Sequence, residues 1–183
     1  MFSDQRSKRI VLVSHCILNQ NSISDGTADF PGTNASIVKL LMESNVGIIQ
    51  LPCPELSCLG LDRGDVHGGE RDVIVENTRI RRQMETERST EIIQHLVDQI
   101  LFQIKEYIKN GFSILGIIGI NRSPSCGIQT TSKNNQEVIG EGVFMERLKQ
   151  ELGKNGIHLD MVGIKALETD AAIGSIQKMI LKP

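Results

Sequence analysis

Three cysteines in this 183-residue chain each follow a stretch that the sequence predicts to be a strand. Cys16 comes directly after the end of "RIVLVSH", Cys53 follows "VGIIQL", and Cys126 follows "FSILGIIGI". Their immediate surroundings, "SHCILNQNS", "LPCPE" and "SPSCG", are polar or proline-rich, which is typical of functional loops and not of cysteines that fill a core. The pattern therefore favours a site built from three thiols.

A site of three thiols suits some metal chemistry better than other kinds. Zinc normally takes four protein ligands, or three and a water, and its cysteines often come in C-x-x-C pairs, which this sequence lacks. Iron–sulfur clusters are held by cysteine thiolates and need no such pairs, provided that the fold brings the ligands together. Three cysteines would leave one iron of a cubane cluster open as a Lewis acid for a substrate atom.

The segments that must position these thiols alternate between strands and helices. We predict buried strands over 9–15, 46–51 and 112–120 and a weaker one over 157–164, and helices after Thr33 or Asn34, over 92–108, over 140–156 and over the tail 167–181. The glycine-rich, charged stretch 59–72 is predicted to be a loop that continues irregularly towards Thr86. Strands that are apolar on both faces, alternating with helices, predict a parallel sheet that is covered on both sides.

The predicted fold is therefore a three-layer α/β sandwich with a mostly parallel sheet, Rossmann-like or flavodoxin-like, spanning residues 1–183 as one domain. In an open parallel sheet, ligands bind outside the carboxyl ends of the strands, near the point where the strand order reverses. Because each of the three cysteines follows a strand, we expect Cys16, Cys53 and Cys126 to meet at that edge.

The composition excludes some classes of partner. The net charge is −2 and aromatic residues make up 3% of the chain, so the sequence offers neither a basic surface nor stacking platforms for nucleic acid. The apolar run "IVLV" near the start is too short for a signal sequence or a membrane span. We expect a cytoplasmic protein that acts on a small molecule, with no nucleic acid or membrane partner.

Three spaced motifs resemble those of a bacterial family long catalogued as a domain of unknown function, whose characterised members are thiouracil desulfidases. The motifs are "SHCILNQNS", "CPE" followed by "LGL", and "RSPSCG" followed by "GEGVF", in the family's order and approximate spacing. The resemblance covers most of the chain, from about Val11 to the helix that begins at Gly142. The first motif is closer to a divergent branch of the family than to its characterised enzymes.

The resemblance implies a compact α/β domain in which Cys16, Cys53 and Cys126 hold a [4Fe-4S] cluster whose fourth iron takes sulfur from a thiolated pyrimidine. It also implies a non-redox replacement of C=S by C=O that releases sulfide. Glu55 in "CPE" and Ser123 in "SPSCG" match the acid/base positions of the family. Both residues lie within three positions of a predicted ligand, so we expect them near the open iron.

Other interpretations of the cysteines remain open at this point. The cluster could be structural or serve as a sensor without catalysis. Cys16 could instead be a thiolate nucleophile, although "HCILNQNS" has no arginine to hold a phosphate. Cys58 lies between apolar residues in "ELSCLGL", so we expect it to fill the core, with a role as fourth thiolate as the alternative.

Several polar residues near these motifs have two interpretations each. His15 could donate a hydrogen bond to a cluster or substrate, or could be an ordinary satisfied polar group. Asn19, Asn21 and Ser22 could recognise a polar ring or build a turn. The charged side chains of the 59–72 loop, Arg63, His67 and Arg71, could cover the site or bind an anion, but we expect them to be solvated.

Overall fold

The computed structural model describes residues 2–165 and 168–181 and has a four-stranded parallel sheet at its centre. The strands lie in the order β2-β1-β3-β6, all parallel, as β1 (Arg9–Val13), β2 (Gly47–Gln50), β3 (Ser113–Ile120) and β6 (Met161–Ile164). The chain goes from central β1 outward to β2, then returns to pair β3 on the other side of β1. The strand order therefore reverses between β1 and β3, as in flavodoxin-like folds.

Helices cover both faces of this sheet, which confirms the predicted three-layer α/β sandwich. The helices are α1 (His15–Leu18), α2 (Ala35–Glu43), α3 (Pro54–Leu59), α4 (Val73–Met84), α5 (Glu87–Lys109), α6 (Val143–Lys154) and α7 (Thr169–Ile180). Leu12 and Ile117 face a core shared with α5 and α6, whereas Val11 and Ile118 face a core shared with α2 and α7. Apolar residues on both faces of each strand produce this burial, as the sequence predicted.

Helix α4 corrects the prediction that the chain stays irregular from residue 73 to Thr86. Asp72 caps the helix by accepting a hydrogen bond from Ile74 N at 2.9 Å. The buried side of α4 carries Glu76 and Arg81 together with Ile80, so its apolar period is interrupted by charges. Those charges are satisfied by polar partners on the helix, in the preceding loop and elsewhere in the fold, which a local hydrophobic pattern does not reveal.

A short antiparallel hairpin, β4 (Thr130–Lys133) and β5 (Gln136–Ile139), lies in a region for which the sequence analysis predicted no element. Its turn residues Asn134 and Asn135 have φ values of 52° and 56°, the left-handed pair that a two-residue hairpin turn requires. The predicted tail helix is observed as α7, and its predicted start at Leu167 lies outside the described residues. In the described part of the chain, no helix is both long and apolar enough to cross a membrane.

The amino end of α6 fixes the loop that carries Cys126. Val143 N donates to the carbonyl of Pro124 at 3.0 Å, and Phe144 N donates to that of Ser125 at 3.1 Å. Gly142 permits this approach, because a Cβ there would lie 2.3 Å from the carbonyl carbon of Ser125. Gly142, the second glycine of the "GEGVF" motif, is therefore needed for close contact between the helix and the loop, and not for an unusual backbone angle.

We predict that Gly142→Ala lowers the free energy of unfolding by about 1–3 kcal/mol, because the added methyl must displace the Ser125 backbone. Gly153→Ala is the matched control: Gly153 lies exposed in the same helix, and a Cβ there meets nothing within 4 Å. The control should raise stability by about 0.5–1 kcal/mol through helix propensity. Urea unfolding measures both changes, and equal effects of the two variants would contradict the close contact at Gly142.

Candidate active site at the carboxyl edge of the sheet

A cavity of about 420 Å³ opens at the carboxyl edge of the sheet, next to the point where the strand order reverses. Its walls include Cys16, Cys53 and Cys126 together with Glu55 and Ser123. The structure thus brings all five sequence-predicted site residues to one cavity. This placement follows from the parallel sheet, because the loops after β1, β2 and β3 leave from the same edge.

Each cysteine is held by a different local structure. Cys16 lies in the first turn of α1, directly after β1. Cys53 is the residue before α3, and its Sγ accepts a hydrogen bond from Leu56 N at 3.4 Å. Cys126 is 7% exposed and lies in a loop that folds back on β3, where Ile120 N donates to its carbonyl at 3.1 Å. Three separate backbone constraints therefore orient the three thiols.

The environment of the thiols keeps them protonated in the absence of a cation. Burial raises the pKa of Cys16 well above its ordinary value, and the neighbouring Cys126, Cys53 and Glu55 raise it further. Burial, Cys53 and Glu55 raise the pKa of Cys126 to about 12. Burial and Glu55 likewise raise the pKa of Cys53. A raised pKa argues against Cys16 as a preformed thiolate nucleophile, which requires a lowered one.

Two buried polar atoms beside the thiols have no hydrogen-bond partner among the residues described, namely Ser14 Oγ and His15 Nε2. Ser14 nevertheless lowers the pKa of Cys126, which places its hydroxyl close to that sulfur. Gln50 Nε2 donates to His15 Nδ1 at 2.7 Å, so the neutral imidazole carries its proton on Nε2. Burial and the Arg63 cation lower the pKa of His15, which favours that neutral form.

The donor set of the cavity fits a multi-metal cofactor better than a single metal ion. No three His, Cys, Asp or Glu side chains within residues 2–165 and 168–181 are grouped so as to hold a single metal ion. The three thiols that line the cavity offer soft ligands, and the unpaired donors of Ser14 and His15 suit electron-rich sulfur acceptors beside them. A cofactor with several metal atoms can span thiols that are too widely spaced for one ion, so the residues fit a thiolate-bound cluster.

Glu55 is a buried carboxylate, 7% exposed, at the start of α3. Its Oε1 accepts a hydrogen bond from Ser125 Oγ at 2.6 Å. Its Oε2 accepts from Ser24 Oγ at 3.1 Å and from Arg63 Nε at 3.0 Å. The ion pair and these hydroxyl donors compensate for the loss of water around the carboxylate.

Arg63 corrects the expectation that the charged side chains of the 59–72 loop are all solvated. It is 2% exposed, and its five N–H groups are directed at Glu55 Oε2, the carbonyls of Gly60 and Leu61, the carbonyl of Ser22, and Cys53 Sγ. Its backbone is in the left-handed region, with φ of 55°, which costs an ordinary residue energy and persists only where the surroundings enforce it. Arg63 is therefore part of the site wall.

A second group of ion pairs connects the 59–72 loop to α4. Arg79 Nη2 donates to the Arg63 carbonyl at 2.9 Å and pairs with Glu76 Oε1 at 2.6 Å. Glu76, itself 5% exposed, also pairs with Arg71 at 3.0 Å, and Arg71 pairs with Asp65 at 2.6 Å. These contacts join α4 to the loop. The two remaining charged residues of the prediction, His67 and Arg71, are exposed as expected.

Ser123 and Ser125 have different roles in the loop after β3. Ser123 Oγ accepts hydrogen bonds from Cys126 N at 2.9 Å and from Ser125 N at 3.3 Å, which closes the turn that presents Cys126. Ser125 is 2% exposed, and its hydroxyl contacts Glu55. The motif resemblance pointed to Ser123 and not to Ser125, because two serines separated by one proline in "SPSCG" cannot be distinguished until the turn fixes their directions.

The remaining predicted residues make structural contacts, although Ser22 also lines the cavity. Asn19 Oδ1 accepts from Asn21 N at 3.2 Å and Ser22 Oγ donates to the Asn19 carbonyl at 2.8 Å, so this segment builds a turn. Cys58 packs with the α5 side of the core, and its Sγ donates to the Ser89 carbonyl at 3.7 Å. These contacts agree with a residue that packs against the core.

We predict that Arg63→Met lowers the free energy of unfolding of the metal-free protein by about 3–5 kcal/mol, because Glu55 would stay buried without its cation. The double variant Arg63→Met/Glu55→Gln should recover part of this loss. Arg82→Met, an exposed change on α4, should alter stability by no more than about 0.5 kcal/mol. Denaturant unfolding measures the free energy of unfolding of these variants. If Arg63→Met and the double variant lose equal stability, the buried Arg63–Glu55 ion pair is contradicted.

Comparisons with known proteins give one distant and one closer similarity. No protein-family model matches the chain. Among solved structures, a [4Fe-4S]-dependent thiouracil desulfidase, TudS, is similar over 92% of this chain and 99% of that one, with 18% identity and a TM-score of 0.40.

The closer similarity is to a protein from Methanocaldococcus jannaschii, the uncharacterized protein MJ0003. The two sequences are 32% identical over 177 residues, which are 96% of this chain and 99% of the other. A match of this extent leaves neither chain with a large unmatched segment. The chain therefore belongs to the same family as the uncharacterized protein MJ0003.

Proposed function

We propose that this protein is an iron–sulfur-dependent desulfidase that replaces the thiocarbonyl sulfur of a small thiolated heterocycle, such as thiouracil, with oxygen from water. Sulfide is released and no net oxidation or reduction occurs, because exchange of one sulfur for one oxygen leaves the oxidation state of the carbon unchanged. The observation that supports this proposal best is the meeting of three thiols from three strand ends with a buried carboxylate in one cavity. The motif resemblance described above adds to it.

Cys16, Cys53 and Cys126 would hold a [4Fe-4S] cluster at the wall of the cavity. When bound through three thiolates, such a cluster supplies one open iron, a Lewis acid with affinity for soft sulfur. Ser14 and His15 lie beside the cysteines and have donors without partners among the described residues, which suits them to hydrogen-bond sulfur atoms there. Cys58 is not included, since its thiol contacts the Ser89 carbonyl.

Glu55 is the residue best placed to accept a proton from the attacking water. A carboxylate has about four lone-pair sites, and three of them are used by Ser125, Ser24 and Arg63. Oε1 carries a single one of these hydrogen bonds, so it keeps a site for a proton. Arg63 pairs with Oε2 at 3.0 Å and so fixes the orientation of the carboxylate.

Ser123 orients the reacting groups at the same wall. Its Oγ accepts from two backbone N–H groups, Ser125 N and Cys126 N, so its own hydroxyl proton is available to donate. The side chain is half-buried and lines the cavity. It is therefore suited to hold the water or to donate a proton to the atom that gains electrons as C=S is lost.

The size of the cavity agrees with a small substrate. A volume of about 420 Å³ lies within the range of pockets for small molecules and cofactors. We propose a free thiolated base or a related thioamide as the substrate, and not a thiolated polynucleotide. We also propose a cytoplasmic location, in keeping with four cysteines that form no disulfide.

We predict that the anaerobically purified protein is brown and that Cys16→Ala, Cys53→Ala and Cys126→Ala each lose the colour, because three thiolates are the minimum set for this cluster. Cys58→Ala is the matched control and should keep the iron content of the wild type, since its thiol lies in the core. Absorption spectra with iron and sulfide analysis measure the outcome. A folded wild type that stays colourless after anaerobic reconstitution would refute the cofactor proposal.

We predict that the cluster-loaded protein converts thiouracil or a related thiolated base to its oxygen analogue and releases sulfide without an added electron donor. Glu55→Gln should keep the cluster but reduce turnover on the order of 10²-fold or more, the usual size of acid–base catalysis. Loss of the thiocarbonyl absorbance and sulfide release are followed together. Turnover that depends on a reductant would contradict the mechanism. If the protein has an intact cluster but converts no member of a panel of thiolated bases, a structural or sensing role is favoured.

A further inference from the structure

We propose that Asn77 determines substrate specificity: its side-chain oxygen, Oδ1, accepts a hydrogen bond from the ring N–H beside the thiocarbonyl of the substrate. This inference rests on the proposed function, because it names the part of the thiolated base that the cavity recognises. Asn77 lies on α4, the helix that the sequence analysis missed, and it lines the cavity although it is 8% exposed. In cavities for small molecules, a few such polar groups fix the orientation of the ligand.

The partners of the Asn77 amide group determine which of its two ends is free for a ligand. Nδ2 donates to the carbonyl of Arg122 at 3.4 Å and to Ser132 Oγ at 3.3 Å. Ser132 Oγ itself donates to the Arg122 carbonyl at 2.7 Å, so its single proton is used there and it can only accept from Asn77. Both neighbours are therefore acceptors, and only the NH₂ end of the amide suits them.

The groups that hold the NH₂ end are themselves fixed by the fold. Arg122 has a φ of 69°, in the left-handed region, and its N–H donates to the Thr130 carbonyl at 3.0 Å. Ser132 lies on β4 and is fully buried. An ordinary residue keeps a left-handed backbone only where its surroundings enforce it, so the hairpin of β4 and β5 holds the orientation of Asn77.

Asn77 Oδ1 has no donor among the described residues, since both hydrogen bonds of this side chain are made by Nδ2. Within the described part of the chain, the side-chain atoms that are fully buried without a partner are Ser14 Oγ and His15 Nε2. Asn77 Oδ1 is therefore not sealed in the core, and the space that Asn77 lines is the cavity. An acceptor held there needs a donor from the ligand, because a carbonyl that a ligand covers without pairing costs free energy.

The ring of a thiolated pyrimidine offers such a donor. Its N3–H lies between C2 and C4, so it adjoins the thiocarbonyl carbon in either isomer of thiouracil. Val73, one turn before Asn77 on α4, lines the cavity together with Ile23, Ile120 and Pro124, and these side chains offer apolar contact to the faces of a flat ring. The cavity then selects bases with a free N3–H, because a substituent at N3 would leave Oδ1 unpaired.

The first experiment measures binding by calorimetry with uracil, 1-methyluracil and 3-methyluracil, oxygen analogues that the protein does not consume. The two methylated bases are equal in size, but 3-methyluracil lacks N3–H. Wild type should bind 3-methyluracil more weakly than 1-methyluracil, on the order of 10–100-fold, because Oδ1 stays unpaired. Cluster-loaded and metal-free protein should give the same order of affinities, since Asn77 needs no metal. Equal affinities, the reverse order or no binding of any of the three bases would overturn the proposal, and this comparison needs no variant.

The second experiment repeats the titrations with two variants, which separate recognition from a structural role. Asn77→Ala removes the acceptor and makes room for the methyl group, so it should bind the two methylated bases about equally. Ser132→Ala is the matched control: it removes one partner of Nδ2, does not line the cavity and should keep the preference for 1-methyluracil. A preference that persists in Asn77→Ala, or that Ser132→Ala abolishes to the same extent, would overturn the role of Oδ1.

Failure of this inference and failure of the proposed function give different results. If wild type converts thiouracil but binds both methylated bases equally, the specificity role of Asn77 is refuted and the desulfidase activity stands. If wild type prefers the base with a free N3–H but converts no thiolated base, the proposed function is contradicted and recognition by Asn77 stands.

Discussion

The buried ion pair between Glu55 and Arg63 is the interaction on which the rest of the site depends. It joins the start of α3 to the 59–72 loop, and the same guanidinium reaches the Ser22 carbonyl and Cys53 Sγ. Separation of such a pair is costly, because either charge left alone would be buried without compensation. The pair therefore fixes two walls of the cavity relative to each other. Glu55 also accepts from Ser125, which ties in the loop of Cys126 as the third wall.

This arrangement also explains why the thiols need a cationic partner to ionise. Thiolates at Cys16, Cys53 and Cys126 would add negative charges around the Glu55 carboxylate. The nearby buried cation, Arg63, is already paired with Glu55. Burial and the Glu55 charge raise the pKa of each thiol, and neighbouring cysteines raise the pKa of Cys16 and Cys126 further, so the neutral forms are favoured until a metal centre supplies positive charge. Cluster binding and thiol ionisation are then one coupled event.

Much of this architecture could be predicted from the sequence, because it rests on local patterns. Strands apolar on both faces predicted a parallel sheet, and cysteines placed after strands predicted that Cys16, Cys53 and Cys126 would share one edge. Arg63 could not be predicted, since a charged residue in a glycine-rich stretch resembles a solvated loop until a buried partner such as Glu55 is known. The one available signal was Glu55 itself, because an acid close to the predicted ligand Cys53 would be buried and would need a cation nearby.

The errors elsewhere have a similar cause. Helix α4 was missed because Glu76 and Arg81 interrupt its apolar face. Arg81 donates to the distant Thr131, whereas Glu76 pairs with arginines of the preceding loop and of the helix itself. The hairpin of β4 and β5 depends on an Asn134–Asn135 turn and on packing against α4, and its polar strands carry little apolar alternation. In each case tertiary contacts supply the stability that the local sequence pattern does not display.

The central claim is that three cysteines hold a cluster and leave one iron for the substrate. A Mössbauer spectrum of the iron-loaded wild type, recorded with and without thiouracil under anaerobic conditions, tests this claim most directly. The account predicts that one iron in about four has a signal distinct from the others and that this signal alone changes when thiouracil is added. Four equivalent irons that do not respond to thiouracil, or a folded protein that binds no iron, would contradict it.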